Sequence, residues 1–217
     1  MKVAILTTAN TWFVAYVSKL EEKIRASHHE VTLFFDHETI DSSYDTVFIL
    51  SYHRIIPKKY LESHRHNLVV HASDLPHGKG WAPFFWQVIE GKTTIPFTLF
   101  EAGEGVDDGD IYLQEEVHLS GYELYDELRH IQAEATIAIC LKFLQHYKLL
   151  TPKKQQGKES FYKKRTLCDS RLDVERSIKE QFNLLRTVSN EEFPAFFEIE
   201  GRRYLLKIEH DTRGALS

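Results

Sequence analysis

The chain has 217 residues, 42% of them hydrophobic, and a formal net charge of −5. That length allows one sizeable core plus a small appendage. The negative balance excludes a nucleic-acid binder held by a broad basic surface, and no apolar run approaches the roughly 20 residues that span a bilayer. Met1-Lys2 leads into a short apolar run, Val3 to Leu6, before Thr7. This is too short for a secretory signal, so the expectation is a soluble cytoplasmic protein without membrane partners. Cys140 and Cys168 form no C-x-x-C and no disulfide framework; Cys140, in a helical pattern, reads as a small core residue. His28-His29 and the His64/His66 pair stand in polar surroundings without cysteine partners, so no metal site is expected.

In chain order, Lys2 to Thr7 reads as a buried strand. Thr11 to Arg25 follows as a helix with Phe13, Val17, Leu20 and Ile24 on one stripe. Glu30 to Phe35 and Asp45 to Leu50 read as strands around an acidic turn, and Pro57 to Ser63 as a short helix. A strand over Leu68 to Val70 then delivers His71 into a loop holding Pro76, Gly78 and Gly80. Pro83 opens an amphipathic helix, Phe84 to Glu90, at a first-turn position where its missing N–H costs nothing. Phe97 to Phe100 and Ile111 to His118 read as strands flanking the tight turn Asp107-Asp-Gly-Asp110. Gly121 to Leu150 reads as a long helix with Leu124, Leu128, Ile131, Ala135, Ala138 and Leu141 on one face. This order predicts a doubly wound α/β domain over residues 1–150. From Thr151 the composition turns polar through Ser160, as in a linker. Residues 151–217 then read as a small α+β module. It contains the segment Phe161 to Arg165, a helix turning Ile178, Phe182, Leu185 and Val188 inward, and a hairpin. The hairpin pairs Ala195 to Glu200 with Arg203 to Ile208 around Gly201-Arg202.

In an open α/β sheet, ligands bind beyond the carboxyl ends of the strands, where His71 stands. Thr7-Thr-Ala-Asn-Thr-Trp12 occupies the place of a G-x-G-x-x-G motif, so no dinucleotide cofactor is expected. Taken singly, a turn histidine and an acidic loop are ordinary surface features. Together, His71 at one strand end and an aspartate at another can meet as an oriented acid/base pair. Lys153, Lys154, Lys158, Lys163, Lys164 and Arg165 form a basic run. It reads equally as solvated surface or as a clamp on a diphosphate, with Arg165 bidentate. Trp12, Trp81 and Phe84 can stack on a base or sugar, though packing explains them too. Asn10 and Lys79 can reach the same crevice.

Four blocks in order resemble the signature of 10-formyltetrahydrofolate-dependent formyltransferases, a family that includes methionyl-tRNA, glycinamide ribonucleotide and nucleotide-sugar formyltransferases. They are His71-Ala-Ser-Asp-Leu-Pro76, Gly80-x-x-Pro83, Ile89-x-Gly91 and Asp107-Asp-Gly-Asp-Ile111. The similarity covers roughly residues 47–150. The tail is similar to the C-terminal module of sugar N-formyltransferases at Phe161-Tyr-Lys-Lys-Arg-Thr166, Leu172-Asp173, Ser177-Ile178, Asn183-Leu-Leu-Arg186 and Pro194-Ala-Phe-Phe197.

The resemblance implies a Rossmann-like formyltransferase core in which 10-formyltetrahydrofolate gives its formyl group to an amine, with His71 and Asp107 catalytic. A histidine titrates in the range where it can take the amine proton or donate to the developing oxyanion. By the same resemblance Tyr52, His53, Arg54, Ile55 and Ile56 form the loop that grips the pterin. Ala102, Glu104 and Gly105 form the other wall. The implied acceptor is a UDP- or dTDP-linked amino sugar of surface polysaccharide or pseudaminic acid synthesis, faced by Asn10, Trp12, Lys79, Trp81 and Arg165, with no nucleic-acid partner. A homodimer through apolar faces such as Phe196-Phe197 is a further expectation. Other amines, such as aminoacyl-tRNA or a carrier-bound amino acid, remain as alternatives, as does a binding homologue with impaired catalysis. Two positions depart from the family pattern. Val69 stands where relatives carry an asparagine that donates to the oxyanion, and one such donor is worth about 2.7–4 kcal/mol of barrier. Asn67, about 13 Å along the strand from His71, is a poor substitute; Ser73, Gln87, a loop N–H or protonated His71 are the candidates. Ile95-Pro-Phe-Thr98 replaces a usual glycine before that strand, without an assigned role.

Overall fold

The structure is a computed structural model that describes residues 1–211. In chain order it forms β1 (Lys2–Leu6), α1 (Val14–Ala26), β2 (Glu30–Phe34), β3 (Thr46–Ile49), α2 (Lys58–Leu61), β4 (His66–His71), β5 (Lys79–Gly80) and α3 (Pro83–Ile89). Then come β6 (Thr94–Glu101), β7 (Ile111–His118), α4 (Tyr125–His146), β8 (Phe161–Tyr162), α5 (Phe182–Leu185), β9 (Ala195–Ile199) and β10 (Arg202–Leu206). The central sheet runs β2-β1-β3-β4-β6-β7. Its first four strands are parallel, and β6 is antiparallel to both neighbours.

Val3 to Leu6 are all fully buried, as a strand covered on both faces requires. The period-two alternation splits them. Val3, Ile5, Phe48 and Leu68 face a thick layer with Val17, Leu20 and Ile24 of α1, Phe84, Phe85 and Val88 of α3, and Ile137, Cys140 and Phe143 of α4. Ala4, Leu6, Val47 and Ile49 face a thinner one, closed by Ile40, Tyr44 and the half-buried Tyr52, Ile56, Leu61, Val69 and Ala102. Short turns and α2 cover this side. None of the described helices is long and apolar enough to cross a membrane.

Several elements differ from the sequence expectation. The helix expected from Gly121 begins at Tyr125, because Glu127 turns back to accept from the Leu124 N–H at 2.8 Å and starts the helix there. Its buried stripe runs through Leu128, Ala133, Ile137, Cys140 and Leu144, leaving Ala138 exposed and Ile131, Ala135 and Leu141 half-buried. The helix packs on the sheet and on α1 together, so its buried arc is wider than one stripe and periodicity does not single out one face. Ile178 is 55% exposed, not turned inward: the Glu180 carboxylate accepts from the backbone and hydroxyl of Ser177 and closes a turn before α5. Leu185 and Val188 do face inward, into a separate small core with Leu172 and Ala195. The hairpin turns one residue earlier than expected. Arg202 pairs with Ile199, leaving Glu200 (φ 48°) and Gly201 (φ 75°) as a left-handed two-residue turn. Of the Phe196-Phe197 pair, Phe196 is buried, while Phe197 is half-buried and stacks on the exposed Tyr204 of β10.

Candidate active site

Residues 67, 69 and 71 of β4 point to the thin side of the sheet. His71 ends the strand, 8% exposed. Its Nε2 lies 2.9 Å from the Gly78 carbonyl oxygen. A carbonyl only accepts, so Nε2 carries the hydrogen and the lone pair of the neutral ring sits on Nδ1. Asp107 Oδ2 stands 3.6 Å from the same Nε2 and accepts from the Gly80 N–H at 2.7 Å.

Bringing this aspartate to His71 needs a folded-back loop. Glu101 at the end of β6 pairs with Leu68, three residues short of His71, so the segment after it must climb back over the thin face. Two local features allow the return. Gly109 approaches so closely that a Cβ there would lie 1.8 Å from the Glu101 carbonyl oxygen. Asp107 itself adopts a left-handed φ of 47°.

The polar stretch after α4, linker-like in sequence, is laid across this face as a strap. Lys153 exchanges backbone bonds with Ile111 at 2.7 and 2.9 Å. The Gln155 side-chain amide donates to the carbonyls of Asp107 at 2.9 Å and Gly109 at 3.0 Å. The Gly78 N–H donates to Ser160 Oγ at 2.9 Å, and β8 pairs in parallel with β5. The strap therefore joins the turn that carries Asp107 to the loop that receives His71.

Among the candidate donors for the role of the family asparagine, two are already engaged. Asn67 donates to the Leu61 carbonyl at 2.7 Å. The Gln87 amide donates to the Ala72 and Pro83 carbonyls at 2.6 and 3.1 Å. Ser73 is buried with its hydroxyl free of any partner among the described residues, which leaves it, the loop N–H groups and His71.

The expected pterin loop is mixed in its placement. Ile55 stands 90% exposed, and Ile56 packs into the thin layer beside Ala102. The His53 N–H donates to Thr8 Oγ1 at 3.0 Å, and its ring lies 5.6 Å from Trp81. Burial, with Lys164 nearby, holds the His53 imidazole below its usual range. Two members turn elsewhere: the Tyr52 hydroxyl meets His37 Nδ1 at 2.8 Å, and Arg54 pairs with Asp36 at 2.9 Å. On the other wall Glu104 pairs with Lys58 at 2.5 Å, Gly105 is exposed, and Val106 is 65% exposed.

Of the expected acceptor-facing residues, Asn10 is exposed with a left-handed φ of 63°, and Trp81 is exposed beneath Lys164. Trp12 is half-buried, edge-on to Phe13 and Tyr16. Lys79 does not face the crevice: it is buried under the strap and pairs with Glu159 at 2.5 Å. Arg165 lies half-buried, donating to the Thr187 carbonyl at 3.0 Å. Gln155, Ser160 and Arg129, which the geometry makes prominent, carried no signal in sequence.

A formyl transferase family model matches residues 15–144, more than half of the chain. Methionyl-tRNA formyltransferase of Acidobacterium capsulatum is 34% identical over 146 residues, covering 65% of this chain and 47% of that protein. The homologue from Lachnospira eligens is 31% identical and covers 76% of this chain and 52% of that protein. The chain thus spans about half the length of these relatives. Among solved structures, methionyl-tRNA formyltransferase from Clostridium thermocellum superposes with a TM-score of 0.78 at 19% identity, over 96% of this chain and 92% of that one. A sugar N-formyltransferase from Shewanella sp. does so at 0.71 and 16% identity, over 96% and 97%. HypX from Aquifex aeolicus, in complex with tetrahydrofolic acid, matches at 0.73 and 17% identity, over 99% of this chain and 39% of that one. The matched stretch runs from α1 through the His71 strand and the Asp107 turn into the end of α4, and on that match the chain belongs to the formyl transferase family.

Proposed function

We propose that this chain transfers a formyl group from 10-formyltetrahydrofolate to the amine of a nucleotide-linked amino sugar. The observation that supports this most is the meeting of His71 and Asp107, 3.6 Å apart, in a chain of this family. Bound folate supplies the activated formyl carbon. The residues flanking the crevice suit a flat heteroaromatic ring: Ile55 and Val106 are bare aliphatic side chains on its two loops, and Val69 is half-exposed on its floor.

His71 takes the proton lost by the attacking amine at Nδ1, the nitrogen not committed to Gly78. The imidazolium so formed keeps Nε2–H on the Gly78 carbonyl, with the Asp107 carboxylate beside it to balance the charge. The Ser73 hydroxyl or a loop N–H then serves the oxygen that gains negative charge, since Val69 carries no donor, and His71 would return its proton to the folate nitrogen released as the formyl C–N bond breaks. The pairing of the strap with the loop that receives His71 accompanies the burial of that side chain.

A sugar acceptor is supported by the tail, where Phe161-Tyr-Lys-Lys-Arg-Thr166 and Asn183-Leu-Leu-Arg186 resemble the C-terminal module of sugar N-formyltransferases, and by the shared fold with the sugar N-formyltransferase from Shewanella. The second reading, formylation of aminoacyl-tRNA, rests on the 34% identity to one of those enzymes. The acceptors to try first are the UDP- and dTDP-linked amino sugars that feed surface polysaccharide and nonulosonic acids such as pseudaminic acid. Purified protein, folate donor and such a panel, run beside charged initiator tRNA, separate the two readings. Formylation of a sugar nucleotide supports the first; formylation of tRNA alone replaces it with the second.

A further inference from the structure

Two guanidinium groups meet at one aromatic ring on the side of the sheet opposite His71. Arg129, in the first turns of α4, has its guanidinium carbon 4.3 Å from the Phe85 ring, 4.8 Å from Trp12 and 5.1 Å from Tyr125. Its Nε donates to the Tyr125 hydroxyl at 3.1 Å and one terminal nitrogen to Gln132 Oε1 at 2.9 Å. Arg165, arriving from the end of the strap, lies 6.0 Å from the same Phe85 ring and donates only to the Thr187 carbonyl. No carboxylate stands within ion-pair distance of either among the described residues. The nearest acid to Arg165 in sequence, Asp169, is held by Lys163 and Thr166.

One arginine among aromatic rings is ordinary packing. Two sharing a ring with no carboxylate in ion-pair contact are not, because each raises the cost of keeping the other charged and Glu192 and Asp169 offset this only from a distance. Burial, with Arg129 beside it and against the pull of Asp169, holds Arg165 below the usual arginine range, and burial outweighs Tyr125 and Glu192 to do the same to Arg129. Arginine stays protonated regardless, so the strain is relieved by an anion rather than by proton loss. Most of their N–H donors are unbonded, and the planar fork of each suits bidentate contact with phosphate oxygens. The place is also right. Trp12 follows β1, and Phe85 lies in the first turn of α3, so both stand at the carboxyl edge of the sheet. Exposed Trp81, between β5 and α3, lies along the same rim as the loop that receives His71.

We propose that Arg129 and Arg165 form a diphosphate site that holds the nucleoside diphosphate of the acceptor across the sheet edge from His71. This rests on the sugar-nucleotide reading above and deepens it by assigning the diphosphate to two side chains. The site reads charge and oxygen geometry, and so accepts UDP and dTDP alike.

The test is calorimetric titration of the full chain with dTDP, UDP and inorganic pyrophosphate, with thymidine and uridine as phosphate-free controls. The expected result is binding of the diphosphates and far weaker binding of the nucleosides. Both Arg165→Gln and Arg129→Lys should weaken diphosphate binding by about 10- to 100-fold, the worth of a charged hydrogen bond. Arg129→Lys keeps the charge and tests the fork; Arg165→Gln removes a less buried group, so at least one variant folds. Unchanged dTDP affinity in both folded variants overturns the proposal. So does binding of tRNA alone, weakened by the same changes, which would make this a nucleic-acid phosphate site. Diphosphate binding lost in both variants, in a protein that formylates no amino sugar, sinks the acceptor reading and leaves this one standing. Sugar formylation with dTDP affinity untouched by either change does the reverse.

Discussion

Replacing Gln155 tests whether the strap positions the acid of the site. Its amide makes two neutral bonds, to the carbonyls of Asp107 and Gly109. At about 0.5–1.5 kcal/mol each, they contribute about 1–3 kcal/mol to holding this turn. The turn contains a non-glycine residue at φ 47°, a conformation that costs roughly 1–2 kcal/mol. The two terms are similar in size, so without the amide the turn relaxes and Asp107 leaves Gly80. Gln155→Ala should lower stability to denaturant by about 1–3 kcal/mol and kcat/KM by about 10- to 100-fold. Gln155→Glu should be worse, because it sets a carboxylate oxygen against two carbonyl oxygens. Hydrogen exchange of the Gly80 amide, which is bonded to Asp107 Oδ2, reads the same movement without substrate and should quicken in both variants. Gln155→Ala with wild-type kcat/KM and unchanged Gly80 exchange would refute this account of the strap.

Two further outcomes follow from the geometry. Val69→Asn restores an amide two residues before His71, where Asn67 and Gln87 are already engaged. Because Ser73 or a loop N–H serves the oxyanion, kcat should stay within about a few-fold of wild type, and a rise of about 10²-fold or more would show that the donor is missing outright. Glu123→Ala removes the carboxylate 3.2 Å from Arg186, which is 1% exposed, and should cost about 3–5 kcal/mol in chemical denaturation. Burial pushes the Glu123 carboxyl up, but donors from the 120–123 turn outweigh it and hold the group below its usual range. A carboxylate depressed in the fold stabilises above its unfolded pKa of about 4.3 and loses that contribution as pH falls through the folded value. The gap between wild type and Glu123→Gln should therefore be full at neutral pH and close below about pH 4. A gap independent of pH would contradict the hold of the 120–123 turn on this carboxylate.

The parallel half of the sheet was legible because Val3 to Leu6 and Val47 to Leu50 are continuous apolar runs that only a doubly covered strand needs. The meeting of His71 and Asp107 was legible from motif blocks, yet the means of bringing them together was not. It depends on a glycine at 109 under the Glu101 carbonyl and on a glutamine in a stretch of solvated polar residues. Neither carries a periodic signal, since a side chain that bonds backbone carbonyls across 46 and 48 residues leaves no local pattern. Lys79 was misplaced for a similar reason: one charge in a loop gives no hint that Glu159, 80 residues later, will draw it inward. The α4 stripe was rotated because the sheet and α1 together bury a wide arc of the helix, in which no single stripe marks the core face.

The most direct test is the formyl-transfer rate of purified wild type, His71→Ala and Asp107→Asn, with 10-formyltetrahydrofolate and an accepted amine, each variant first shown to be folded. The account predicts steady turnover by wild type, a loss of about 10²–10⁴-fold in His71→Ala, and a lesser but clear loss in Asp107→Asn. A folded His71→Ala variant working at the wild-type rate would contradict it.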